Sequence, residues 1–233
     1  MPCDPAPVNA EVSYNVPIFL SLEMRTMPVR KAKGETPVQS VTAEELEFHP
    51  VSPERWAHLE ALFGKGGACG GCWCMWWRLS GPEYSRHRGQ DNKEALKALV
   101  EGGEEPGVLA YYDGAPIGWC TIGPRESYGR LREGRVRIFK AVDDQPVWNV
   151  TCFYIARAWR NRGLMGHLLQ AAVDFAASRG ATIIEGYPLD PSASDNPITD
   201  PAAYCGLLNT FEKAGFVEVL RRHERRPIVR KEI

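Results

Sequence analysis

Residues 147–179 read VWNVTCFYIARAWRNRGLMGHLLQAAVDFAASR, and the change of pattern within them decides what the chain around them must be. The first nine residues are rich in β-branched and aromatic side chains and are too short and apolar for anything but a buried strand. The pattern breaks at Ala156-Arg157-Ala158-Trp159. From Leu164 the apolar residues Leu164, Leu168, Ala172, Phe175 and Ala176 recur three to four apart, as one face of a helix requires. Ser178-Arg179-Gly180 stops that helix with a basic last turn and a glycine just beyond it. A strand, a short basic turn and a helix opening at that turn form an anion site: the unpaired N–H groups of the first turn and the positive end of the macrodipole face the loop. Arg160 and Arg162 add guanidinium forks that match phosphate oxygens, and Gly163 lets the backbone come close.

Neither common nucleotide loop fits. There is no glycine run closed by Lys and Ser or Thr, and no G-x-G-x-x-G. The spacing resembles instead the acyl-CoA signature of the Gcn5-related N-acetyltransferase (GNAT) superfamily, Arg/Gln-x-x-Gly-x-Gly/Ala. It is read here as Arg160-Asn161-Arg162-Gly163-Leu164-Met165, with Met165 where a small residue is usual and Gly166 one place later. The resemblance runs on through the strand at 182–188 and through Phe211-Glu212-Lys213-Ala214-Gly215-Phe216, which is similar to the superfamily's Tyr-Glu-Lys-x-Gly-Phe. An ordinary βαβ crossover with an arginine-rich turn is the plain alternative.

The resemblance covers about residues 46–233. It implies a three-layer α/β (α+β) fold, with a mixed, mostly antiparallel sheet splayed between two parallel strands and helices on both faces. The implied order is strand, two helices, three antiparallel strands, helix, strand, helix, strand, with the pantetheine arm of CoA in the splay. It implies acetyl-CoA as co-substrate, held by Phe153, Tyr154, Ile155, Arg160, Asn161, Arg162, Gly163, Leu164, Met165 and Gly166. The implied activity is direct acetyl transfer to a primary amine of a small molecule or an amino terminus, with a non-catalytic acyl-CoA sensor as the alternative.

Composition bounds the rest. A formal charge of -1 argues against a general nucleic-acid binder. The stretch 221–231 carries six Lys/Arg interrupted by Glu224, and it reads as a solvated strand face after a closing strand at 216–220. No apolar run reaches membrane-span length and no basic segment precedes residues 16–22, so the expectation is a cytoplasmic protein off the membrane, with a homodimer allowed. Seven cysteines in a chain of 233 residues read as thiols, not as a disulfide framework.

Residues 1–44 hold six prolines and no sustained period, which predicts a poorly ordered extension, with Met24 and Met27 as alternative starts. The acetyltransferase domain is then 45–233. A strand at 46–51 leads to Ser52-Pro53, a helix start, and Trp56, Leu59 and Phe63 form its buried stripe. Asp91-Asn92-Lys93-Glu94 has capping-box spacing for a second helix. Asp113-Gly114 between two apolar runs marks a hairpin, and residues 123–144 form a long charged connection of the kind that tends to be functional.

Between the two helices lies Gly66-Gly67-Ala68-Cys69-Gly70-Gly71-Cys72-Trp73-Cys74-Met75-Trp76-Trp77. A closed zinc site needs four ligands and no second cysteine pair follows; His87 or Cys120 would have to complete it, so no metal is expected. The tryptophans Trp73, Trp76 and Trp77 suit either a core cluster or the wall of an acceptor pocket for an apolar or cationic amine.

Acyl transfer from a thioester to an amine needs a neutral amine, an oxyanion donor and a proton for the leaving thiolate. The backbone near Phe153 to Ile155 supplies the donor in the resembled family. The tyrosine common in its last helix aligns with Phe211, so Tyr204, two turns back on the same helical face, is the candidate acid. Cys152 falls where a glutamate base is frequent; Glu126 and Glu185 are the nearest carboxylates and candidate bases through water.

Overall fold

The computed structural model describes residues 40–86, 88–134, 136–193 and 203–233. The expected N-terminal extension lies outside them as far as residue 39, and so do His87 and the Asp200-Pro201 pair ahead of Tyr204.

The strands are Leu46–Pro50 (β1), Gly107–Tyr112 (β2), Ala115–Pro124 (β3), Trp148–Ile155 (β4), Ile183–Gly186 (β5), Val217–Arg221 (β6) and Pro227–Glu232 (β7). The helices are Trp56–Phe63 (α1), Gly81–Arg86 (α2), Gln90–Glu101 (α3), Gly129–Arg132 (α4), Leu164–Ser178 (α5) and Leu208–Lys213 (α6). Among the described residues the strands form one sheet in the order β1-β2-β3-β4-β5-β7-β6. Only β4 and β5 pair in parallel; the other neighbours are antiparallel. This is the mixed three-layer α/β architecture expected from the sequence.

Period-two alternation splits the core between the two faces. On one face Val108, Ala110, Cys120 and Ile122 meet Leu164, Leu168, Leu169, Ala172 and Ala176 of α5. On the other, Leu109, Tyr111 and Trp119 meet Leu59 and Phe63 of α1 and Leu96 and Val100 of α3. Gly118 allows the close approach of α5, because a Cβ there would lie 2.9 Å from Leu168 Cδ1. The hairpin turn sits at Asp113 and Gly114, both at positive φ (49° and 72°), as the Asp-Gly pair requires.

Three sequence expectations change. The helix predicted from Asp91 begins one residue earlier, capped by Gly89, and Asn92 is buried with its side-chain amide donating to Gly71 O at 3.1 Å. A further helix, α2, precedes it. The tail is no solvated face: Pro227 to Arg230 are buried in β7, which lies between β5 and β6, and it is β6 that forms the exposed edge. Arg230 tolerates burial there because Glu185 and Asp143 neutralise it at 2.8 and 2.7 Å.

Burial holds the Tyr128 phenol up to about 12 and raises those of Tyr187 and Tyr204 well above the ordinary value. The native state therefore keeps protons that the unfolded chain releases near the ordinary phenol pKa of about 10. Stability is fully present below that pH and is lost as pH rises through it toward the folded values. Thermal unfolding followed by circular dichroism should show a midpoint that is flat near pH 7 and begins to fall as pH passes the ordinary thiol pKa of about 8.5, because hydrogen bonding between sulfurs and burial also raise the thiols of Cys72 and Cys74, and burial that of Cys120. It should fall more steeply above about pH 10.

Candidate active site

The parallel pairing of β4 with β5 ends at Val150 and Gly186, while β4 itself runs on to Ile155 against β3. A register shift opposite Thr121 and Ile122 puts Val150 and Phe153 on one face. Beyond that bulge the β5 side of β4 opens into a cleft. Ala156 N donates to Ile117 O of β3, so alternation turns the N–H groups of Phe153 and Ile155 the other way, into the opening. Phe153 N–H is taken by the carbonyl of Tyr204 at 2.6 Å. The Ile155 N–H points in the same direction one pleat further on.

The loop after β4 is shaped by backbone conformation. Asn161 at φ 61° and Gly163 at φ 83° are left-handed, and Gly163 caps α5. A Cβ on Gly163 would meet nothing within 4 Å, so glycine serves the dihedral angle and not the space. The first turn of α5, through Leu164, Met165 and Gly166, turns its N–H ends toward this loop. Arg160 donates from Nε to Ile155 O at 3.2 Å, which bends its side chain back over the end of β4. The Arg162 guanidinium lies 5.1 Å from the centroid of Trp159, and its Nε is buried with no hydrogen-bond partner among the described residues. From the other side Val41 N donates to Arg162 O at 3.1 Å, while His167 Nε2 lies 3.3 Å from Val41 O.

A cavity of about 480 Å³ joins these parts. Its wall includes Phe153, Tyr154, Ile155, Arg160, Asn161, Gly163, Leu164 and Met165 from β4, the loop after it and α5. Trp76, Trp77, Tyr84, Tyr204, Cys72, Cys74 and Cys152 complete it. A second opening, between α5 and α6, shares Gly163, Met165 and Thr210 with it and continues the groove past Gly166 and Lys213. Of the predicted cofactor residues, Arg162 and Gly166 stand beside the main cavity and the others on its wall.

The predicted pocket tryptophans separate. Trp76 and Trp77 face the cavity, edge to face with ring centroids 4.7 Å apart. Trp73 does not: it is buried against Trp56 and Phe63, and its indole fills the space where a Cβ on Gly67 would be. It is a core residue because the kinked glycine turn, with Ala68 at φ 66° and Gly70 at 55°, tucks it under α1.

Both predicted carboxylate bases fall away from the cavity. Glu126 is exposed in the turn after β3 and does not line it. Glu185 is fully buried in β5 and accepts hydrogen bonds from Arg125 Nη1, Arg230 Nε, Tyr187 OH and Asn149 Nδ2, at 2.8, 2.8, 2.5 and 3.3 Å. A carboxylate so engaged has no lone pair directed at a substrate. Among the described lining residues there is no Asp or Glu.

Phe211 and Tyr204 do not share a helix. The α6 helix starts at Leu208, and Gly206 at φ 86° with the extended Leu207 separates the two residues. Phe211 is fully buried: Cβ atoms on Gly186 and Gly206 would stand 2.4 and 2.8 Å from its ring, so two glycines seat it in the core. Tyr204 reaches the cavity from the turn before α6, its ring 6.4 Å from those of Trp76 and Trp77.

Cys74 and Cys152 place their sulfurs 3.8 Å apart. The hydrogen bond to Cys152 and then burial push the Cys74 thiol up; for Cys72 the causes are the bond with Cys74 and then burial. These are protonated, soft walls and poor nucleophiles at neutral pH. No group of three or more His, Cys, Asp or Glu among the described residues is placed to hold a metal ion. Cys72, Cys74, Cys120, Cys152 and Cys205 are free thiols as expected.

Sequence reasoning missed Tyr84. It lies on α2, and Ser80-Gly81-Pro82-Glu83 announces that helix: Ser80 N donates to Glu83 Oε2 at 3.0 Å, one half of a capping box with proline in the first turn.

A family model described as "Acetyltransferase (GNAT) family" matches residues 73–191. No curated protein matches the chain. Among solved structures it is similar to the PaiA N-acetyltransferase of Thermoplasma acidophilum in complex with coenzyme A, with 14% identity over 81% of this chain and 99% of that one and a TM-score of 0.46. It is also similar to a GNAT-family acetyltransferase of Listeria monocytogenes, with 12% identity over 81% and 95% and a TM-score of 0.48. A mosquito arylalkylamine N-acetyltransferase, like 5b, gives 12% identity over 81% and 100%, with a TM-score of 0.48.

Proposed function

The chain belongs to the acetyltransferase (GNAT) family and is an N-acetyltransferase, and from that premise we propose that it moves an acetyl group from acetyl-CoA directly to a primary amine seated between Trp76, Trp77 and Tyr204. The observation that carries this reading is the continuity of one cavity from the unpaired edge of β4 to the first turn of α5. In this reading the CoA diphosphate lies on the N–H groups of Leu164 and Met165 with Arg160 beside it, the Gly166 N–H being engaged by Gly163 O at 3.1 Å, and the pantetheine runs along β4 in the splay. Its thioester oxygen meets the Ile155 N–H, since the Phe153 N–H is already engaged by Tyr204 O.

Tyr204 is then the proton donor to the departing thiolate. A phenol is protonated at neutral pH, the state an acid needs, and burial, which raises this one further, makes it a weaker donor. The amine loses its proton to water, aided by the desolvating aromatic walls. No covalent acyl-enzyme enters, which agrees with cysteines held as thiols.

Calorimetric titration with acetyl-CoA, together with thioester consumption across an amine panel, tests the proposal. Binding without consumption would turn the reading to an acyl-CoA sensor. Tyr204→Phe should lower kcat by about 10²-fold with acetyl-CoA affinity unchanged, the range for loss of one general acid. An unchanged kcat would transfer the acid's role to water.

A further inference from the structure

The wall of the cavity is chemically uniform. Besides the rings and thiols already described it carries Ala68, Ala203 and Leu207, and among the described lining residues Arg160 is the one side chain ionised at neutral pH. The three thiols stay protonated. Hydrogen bonding between sulfurs and burial raise Cys72 and Cys74; the bond with Cys74 pulls Cys152 down, but burial and the neighbouring sulfurs leave it raised as well. Burial likewise raises the Tyr204 phenol.

Such a wall treats the two forms of an amine differently. An ammonium leaves water for a surface whose neighbouring groups are neutral, which costs far more than moving the uncharged form. Nor do the rings make an open cage for a cation. Arg130, whose Nε donates to Trp76 O, covers one face of Trp76 at 4.3 Å from its centroid. Trp77 stacks a face on Tyr187 at 5.7 Å, and the two indoles meet edge to face. An alkylamine, with an ammonium pKa near the value of about 10.4 for lysine, is neutral in about one molecule in 10³ at pH 7. An arylamine shares its lone pair with its ring, releases that proton in the carboxylic-acid range, and arrives neutral and flat.

Resting on the acetyltransferase reading above, we infer that the acceptor is an arylamine: a primary amine carried directly on an aromatic ring, neutral before it binds and seated by apolar contact with Trp76, Tyr204 and Leu207. No base is then needed ahead of the attack. The nitrogen bonds to the acetyl carbon and the C–S bond breaks. The surplus proton on nitrogen passes to water, and the departing thiolate takes its proton from Tyr204, which recovers one from solvent.

The test compares two isomers, para-ethylaniline and para-methylbenzylamine, which differ only in where one methylene sits. Calorimetric titration, with and without CoA, should give the arylamine a dissociation constant that is unchanged from pH 6 to 8. The apparent constant of the benzylamine should tighten by about tenfold per pH unit, since only its neutral fraction enters, and at pH 7 the arylamine should bind about 10²-fold tighter. Cys72→Asp, on the half-buried thiol, and Cys152→Asp each place a carboxylate on the wall and should narrow that gap on the order of tenfold. Equal or tighter binding of para-methylbenzylamine at pH 7, an affinity for it that does not follow pH, no saturable binding of either isomer, or a gap that neither folded Asp variant narrows overturns the inference. Acetyl-CoA consumption is followed on the same samples. Transfer to the benzylamine with no selectivity for the arylamine sinks the inference and leaves the transferase standing; selective binding of the arylamine with no thioester consumed sinks the transferase reading instead.

Discussion

Glu185→Ala is expected to destabilise the fold by about 3–5 kcal/mol, the cost of removing one partner from a buried ionic cluster. Its carboxylate is the common acceptor for two guanidiniums whose side chains are only 12% and 10% exposed, Arg125 and Arg230. Without it Arg125 loses the carboxylate that neutralises it, and Arg230 keeps only Asp143. Arg125 also donates to Phe139 O at 3.0 Å and to Tyr187 OH at 3.1 Å, so the connection after β3 loses its anchor. Trp77 stacks on Tyr187 with centroids 5.7 Å apart, and the disturbance therefore reaches the acceptor wall. Urea unfolding followed by fluorescence measures the loss. Should the variant unfold like the parent yet fail to transfer acetyl groups, the chemical role first expected of Glu185 would be restored and the structural one withdrawn.

The second large effect is on the co-substrate. Arg160→Ala together with Arg162→Ala should weaken acetyl-CoA binding by about 10²-fold, since a hydrogen bond to a charged group contributes about 1.5–3 kcal/mol and each 1.4 kcal/mol is tenfold. Arg160 should account for more of it, because Arg160 lines the cavity while Arg162 packs over Trp159. Calorimetry at two salt concentrations would show the parent losing affinity with ionic strength and the double variant losing less. Equal binding by parent and variant would remove the diphosphate from this corner.

What could be read from the sequence was what depends on local periodicity. The strand-to-helix change at residues 147–179, the Asp113-Gly114 turn and the buried stripe of α1 each need only neighbours in sequence to be recognised. The unread features depend on distant partners. Glu185 looked like any carboxylate near a cleft until Arg125, 60 positions earlier, and Arg230, 45 later, were seen to converge on it. Trp73, Trp76 and Trp77 are indistinguishable by spacing, and only the positive-φ glycine turn sorts one into the core and two onto the cavity. Tyr204 lines the cavity from a turn and not from the helix that the spacing suggests, because Gly206 at φ 86° separates it from α6. The second closing strand is hidden in the sequence because the charge of Arg230 masks the buried Ile228-Val229 pair.

The link between Val41 and the Arg162 and His167 pair also bears on how the chain can be trimmed or tethered. Val41, near the end of the stretch expected to be an extension, is hydrogen-bonded on one side to the carbonyl of Arg162 in the loop before α5 and faces His167 at the start of α5 on the other, so it acts as a clasp on that corner. Shortening the chain past Val41, or loading it mechanically from the N-terminal side, would be felt first as looser grip on the nucleotide, with acceptor selection left intact at the far end of the groove.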